Sequence, residues 1–162
     1  MKLYFNKTIL KPFSELILYS SLNPIPVILR LSNNTVLPET IYTRNLAQEN
    51  FIELRFNKET KKLYEITIVA IQESTVELTT YDWECENNYY ECYIKGDSEL
   101  ETSKPFQILR SEKSLTLSWG EQSSERYSIA KNCILGVDIN DNLCSIILLN
   151  LTNEMIYEIL GF

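Results

Sequence analysis

The sequence predicts a mainly β protein, an antiparallel β-sandwich or open barrel of about eight to ten strands with one or two short helices. Three observations carry that expectation. Apolar and polar residues alternate with a period of two, most clearly over 51–71. Clusters of Asn, Asp, Ser, Glu and Lys separate the alternating segments at short spacing, which joins strands as hairpins. Ten Tyr and many Ile, Leu and Thr stand beside only four Gly, a composition that suits pleated, half-buried surfaces. The 162 residues, 44% hydrophobic and 23% charged, suit one β-rich domain over 1–162, with no repeat or linker to divide it.

Taken in order, Leu3-Tyr4-Phe5 starts a strand. Pro12 permits a helix from Phe13, with Phe13, Leu16, Ile17 and Ser20 at helical spacing. A strand over Glu15–Tyr19 fits the same residues. Asn23-Pro24-Ile25-Pro26 must be extended or turning. Val27–Leu31 reads as a strand and Ser32-Asn33-Asn34 as a turn. Residues 37–50 show no clean period and read as a loop, with room for one helical turn near Ile41–Ala47.

Over 51–71, Ile52, Leu54 and Phe56 alternate with Glu53, Arg55 and Asn57. After the polar turn 58–62, Tyr64, Ile66 and Ile68 alternate with Glu65 and Thr67. Thr75–Leu78 is a further strand with Val76 and Leu78 inward. Tyr81 and Trp83 have the opposite parity, which places a bulge or bend near Thr79-Thr80.

Residues 81–94 read as a hairpin closed at Asn87-Asn88, since Asn tolerates the positive φ of a type I′ turn. One face then carries Tyr81, Trp83, Cys85, Tyr90, Cys92 and Ile94, and the other Asp82, Glu84, Glu86, Tyr89, Glu91 and Tyr93. Glu84 stands opposite Glu91, a like-charge pair that costs stability. Residues 97–104 read as a polar loop. Phe106, Ile108, Leu115, Leu117 and Trp119 fit a hairpin turned at Glu112-Lys113, followed by a loop over 120–125. The last hairpin, over 133–149, turns at Asp141-Asn142 and faces Cys133, Leu135, Val137 and Ile139 towards Cys144, Ile146 and Leu148. Ile134, Ile147 and Leu149 make the other face apolar too, so these strands are central. Thr152 can cap a short C-terminal helix, with a final strand as the competitor.

Charge is concentrated. Residues 81–101 hold seven acids (Asp82, Glu84, Glu86, Glu91, Asp97, Glu99, Glu101) against Lys95 alone, in a chain of net charge −7. An acidic balance opposes direct contact with nucleic acid or an anionic membrane. The chain has no His, which removes His-based triads and the commonest zinc ligand. Its cysteines, 85, 92, 133 and 144, have no zinc spacing and read as packed free thiols of a reducing compartment. Cys85 and Cys92, diagonal in the hairpin at roughly 7–8 Å, are too far apart to bridge without distortion. No run has the length of a membrane span, and residues 1–7 lack the apolar stretch of a signal peptide, so the cytoplasm is expected.

Phosphate-binding glycine loops and nucleophile elbows are absent from the sequence. Glu84 and Glu91 have the residue types of an acid–base pair, but opposed on a hairpin they lack a cleft or a reason for split pKa values. Asp138, Asn140, Asp141 and Asn142 lack the Gly and terminal Glu of a calcium loop and read as a turn. The expectation is a non-enzymatic binding protein with no cofactor and no metal.

The segment Phe51-Ile52-Glu53-Leu54-Arg55-Phe56-Asn57-Lys58-Glu59-Thr60-Lys61-Lys62-Leu63-Tyr64-Glu65-Ile66, in a small acidic strand-rich chain, resembles immunity proteins of bacterial contact-dependent growth inhibition and related polymorphic toxin systems. That resemblance implies a protein that binds a cognate toxin domain inside the producing cell and blocks it. The toxin would be a nuclease with a basic cleft, a ribonuclease before others. No functional residue carries over from such a family. The candidate surface comes from the residues themselves: Asp82, Glu84, Glu86 and Glu91 for charge, Tyr89 and Tyr93 as aromatic anchors, and Asp97, Glu99 and Glu101 in a second tier. Trp83 belongs to the core side. The plain alternative is a solvated acidic face that keeps the protein soluble. The competing function is a small-ligand-binding β-barrel or an accessory structural subunit.

Overall fold

The hairpin over 51–71 forms as its alternation requires. In the computed structural model, which describes residues 1–19, 26–47, 50–71, 76–120 and 122–160, strand β5 (Asn50–Asn57) pairs antiparallel with β6 (Leu63–Ala70). Ile52 faces Ile68 and Leu54 faces Ile66. Around them run β1 (Leu3–Thr8), β2 (Glu15–Leu18), β3 (Val27–Arg30), β4 (Thr40–Ala47), β7 (Val76–Leu78), β8 (Tyr89–Ile94) and β9 (Leu100–Thr102). The C-terminal half adds β10 (Phe106–Arg110), β11 (Leu115–Trp119), β12 (Glu125–Ala130), β13 (Cys133–Val137), β14 (Leu143–Leu148) and helix α1 (Asn153–Leu160).

Among the described residues, two six-stranded sheets make a sandwich-like arrangement with no closed barrel. One has the order β12-β13-β14-β11-β10-β7 and the other β2-β3-β6-β5-β4-β9. A two-stranded ribbon, β1-β8, completes the fold. The large sheets share one apolar core. Ile108, Leu115, Leu117, Leu135 and Ile146 come from the first, and Leu29, Ile52, Leu54, Phe56 and Ile66 from the second. All ten are nearly inaccessible, and each contributes about 1.5–3 kcal/mol of transfer free energy. Helix α1 adds Ile156, Ile159 and Leu160. Its first turn is capped as expected, the Met155 N–H donating to Thr152 Oγ1 at 3.1 Å.

The mainly β class, the hairpins at 106–119 and 133–149 and the C-terminal helix match the sequence reading. At 13–20 the strand reading holds for Glu15–Leu18. The described residues contain fourteen strands rather than eight to ten. Three of the additions come from stretches read as loop or left unassigned. Residues 40–47 form β4, antiparallel to β5. Its inward face is Ile41, Thr43, Asn45 and Ala47, and the two polar members hid the period. Asn45 is satisfied there: Oδ1 accepts the Lys104 N–H at 2.8 Å and Nδ2 donates to the Lys104 carbonyl at 3.0 Å. Strands β9 and β12 are the other two. Leu78 and Ile139, both expected inward, are each 82% exposed, because β7 is an edge strand and Ile139 lies in the 138–142 turn. The turn over 23–25 and Thr75 lie outside the described residues.

The outward face of the second sheet carries a ladder of buried charge. Glu65 and Glu53 are only 1% and 5% exposed. Glu65 accepts from Arg30 at 3.2 Å, and Arg55 Nη1 lies 3.0 Å from its other oxygen, off hydrogen-bond geometry. Glu53 accepts from Arg44 Nε at 2.5 Å and from Arg55 Nε at 2.7 Å. Tyr42 lies against both guanidiniums, 4.8 Å from Arg44 and 5.6 Å from Arg55.

Candidate acidic surface

The residues around Asn87-Asn88 do not form the expected hairpin. Only its second half is a strand, and β8 pairs with β1 instead, so that Glu91 faces Asn6 and Tyr93 faces Tyr4. Glu84 and Glu91 are therefore not opposed. Residues 81–88 run as an irregular strap across the outward face of the first sheet.

The apolar outer face of β13 and β14 explains this. Ile134, Ile147 and Leu149 point away from the main core and need cover, which Trp83 and Cys85 supply. Two further contacts fix the strap. The Cys85 thiol donates to the Ala130 carbonyl at 3.2 Å, and the Arg126 guanidinium lies 4.5 Å from the Trp83 ring centroid. Packing against the sheet thus outcompetes a second ribbon. The in–out alternation read from the sequence survives: Trp83 and Cys85 face the sheet, while Asp82, Glu84 and Glu86 are exposed.

The nine candidate residues do not share one ribbon face. Asp82 lies on the strap, where its carboxylate accepts from Ser111 Oγ and, at 3.5 Å, from Ser114 Oγ. These serines form the β10–β11 turn. Glu84 and Glu86 follow on the strap, and among the described residues neither is in an ion pair or hydrogen bond. Tyr89, half-buried, begins β8; burial, with the neighbouring Cys85, raises its pKa.

Glu91 and Tyr93 lie elsewhere. Lys62 pairs with Glu91, and Tyr93 donates to the same carboxylate at 2.6 Å. The hydrogen bonds from Lys62 and then Tyr93 hold Glu91 below the usual carboxylate range, and the Glu91 acceptor pushes the Tyr93 phenol up to about 12. Tyr93 also stacks on Tyr4 at 5.0 Å. Asp97 pairs with Lys61, the neighbour of Lys62 in the β5–β6 turn. Glu99 and Glu101 lie at the β9 edge of the second sheet, where they raise the pKa of Arg44 behind the larger effect of its bond to Glu53. Sequence proximity thus became three separate places. The strap gathers Asp82, Glu84 and Glu86; the β5–β6 turn takes up Glu91 and Asp97; a sheet edge carries Glu99 and Glu101.

Tyr81, expected on the buried face, is 58% exposed, its ring packed edge-on against Trp83 at 4.8 Å. Arg126, from β12, and Ser111 and Ser114, from the β10–β11 turn, have no sequence signal, because they reach the strap from hairpins distant in the chain and no local spacing announces them. The four cysteines are free thiols. Three are buried, and desolvation raises the pKa of Cys92, Cys133 and Cys144. The 138–142 segment is a closed turn. Asp138 is disfavoured as an anion by burial, but N–H groups of Asn142 and Asn140 outweigh that and lower its pKa.

No family model matches the chain, and no curated protein matches it in sequence.

Proposed function

We propose that this is a binding protein that docks a basic partner on the strap of residues 81–89. Following the resemblance noted above, the partner is a toxin domain that the protein neutralises in the cytoplasm. A nuclease, and first a ribonuclease, suits the chemistry, since a cleft built for polyanions accepts carboxylates at phosphate positions. The observation that supports the reading is the strap's two-sided construction. Trp83 and Cys85 hold it to the sheet, and Glu84 and Glu86 stand in solvent on the same strap as the exposed Tyr81, with no partner among the described residues. Two unneutralised carboxylates on an anchored backbone that also carries an exposed ring suit steering plus an aromatic anchor. Glu91 and Asp97 are each paired with a Lys, which leaves less free charge there for a partner than at Glu84 and Glu86.

The test is charge reversal by position. A double Glu84→Lys, Glu86→Lys variant is compared with Glu99→Lys, Glu101→Lys in binding to the partner purified from the native host. Steering by the strap predicts a roughly tenfold or greater fall in association rate at low salt for the first variant, shrinking as salt rises. The second variant should bind within about twofold of the parent, and only the first should lose cell protection. Equal binding and protection by both, with melting unchanged, refutes the strap as the docking surface.

A further inference from the structure

The sandwich also holds a cavity unrelated to the strap. It has a volume of about 480 Å³ and opens between the segment following β1 and the loop following β3. That volume lies within the ~300–1,000 Å³ range of small-molecule sites. Leu63, Cys92 and Ile129, all deeply buried, form part of its lining, so the cavity reaches the main core. Leu10, Phe13, Val36 and Leu37 also line it while 75%, 41%, 80% and 54% exposed, and Ile9, next to Leu10, is 99% exposed. Large aliphatic groups concentrated around one opening are a feature of binding sites rather than of ordinary surface.

The charge of the lining is the second observation. The protein is acidic overall, yet Lys11, Arg30 and Lys62 line this cavity against Glu91 alone. Arg30 is paired with Glu65 and Lys62 with Glu91. Lys11 has no ion pair among the described residues. The apolar part of the wall, beside polar groups and the exposed, unpaired Lys11, suits a molecule with an aliphatic body and an anionic head.

We propose that this cavity binds a medium-chain aliphatic carboxylate, its chain among Phe13, Leu37, Leu63 and Ile129 and its head at Lys11. A cationic amphiphile would add to the positive excess, and a neutral one would gain nothing from Lys11. Because Glu84 and Glu86 do not line the cavity, this site stands independently of the docking surface.

The experiment is calorimetric titration of the full chain with sodium decanoate, below its micelle concentration, and separately with decanol. Decanoate is expected to saturate one site, with a negative heat-capacity change from apolar burial. Lys11→Glu should weaken decanoate about fivefold, the scale of one exposed ion pair, and leave decanol unchanged. A Leu10→Asp, Leu37→Asp variant, altered only at exposed positions, should weaken both ligands at least tenfold. Absence of saturable decanoate binding to the folded parent overturns the proposal. So does decanoate binding that neither variant reduces, or that Lys11→Glu leaves intact.

Discussion

Replacing Trp83 with Ala tests how the strap is held. The ring covers Ile134, Ile147 and Leu149, meets Tyr81 edge-on and receives Arg126 on its face. A fully buried Trp→Ala change costs about 3–5 kcal/mol. Trp83 is half-buried, which scales the apolar part to roughly 1.5–2 kcal/mol, and the lost cation–π contact adds about 0.5–1 kcal/mol. The expected loss is therefore about 2–3 kcal/mol, or a fall in Tm of roughly 5–10 °C for a chain of this size. Urea denaturation can follow it, because the remaining Trp119 is buried in the main core and packs against Phe106 at 5.4 Å, so its fluorescence reports global unfolding. Arg126→Met should lose only about 0.5–1 kcal/mol, since the thioether stem keeps most of the packing. A Trp83→Ala loss below about 0.5 kcal/mol would refute the account, because the outer face of β13–β14 would then not depend on the strap for cover.

Two further outcomes follow from the geometry. The Tyr93 phenol, held up to about 12 by the Glu91 carboxylate, has a folded pKa above its ordinary value of 10.0. Its contribution to stability is fully present below pH 10 and is lost as pH rises towards 12; the difference in Tm between parent and Tyr93→Phe should shrink across that window, and a constant difference would contradict it. At Gly136 a Cβ would collide with the hydroxyls of Ser145 and Ser123, which hydrogen-bond to each other at 2.9 Å. Gly136→Ala should cost about 1–3 kcal/mol by overpacking, read from the urea midpoint, and Ser123→Ala, removing one obstacle, should recover part of it in the double variant.

What the sequence revealed divides along physical lines. Alternation works where one face is wholly apolar, so the strands of 51–71 and 106–119 were legible, although a register shift puts Leu63 rather than Tyr64 opposite Phe56. It fails at 40–47, because Thr43 and Asn45 occupy core positions and the partner that makes Asn45 tolerable, Lys104, is distant in sequence. The strap shows a different limit. Parity correctly placed Trp83 and Cys85 inward and Glu84 and Glu86 outward, but it could not choose what they pack on. A local hairpin and a sheet 50 residues away satisfy the same alternation, and only the apolar area of Ile134, Ile147 and Leu149 decides between them. The acidic cluster was visible as composition, but the pairing of Asp97 with Lys61 and of Glu91 with Lys62 was not, because those lysines belong to another hairpin.

Each large sheet ends on one side in a three-residue strand laid parallel to its neighbour, β7 beside β10 and β9 beside β4. So short a border gives an incoming chain almost no ladder to extend, and at β9 Glu99 and Glu101 add repulsion between like molecules. At these two borders the sandwich is guarded by strand length and charge rather than by closure into a cylinder.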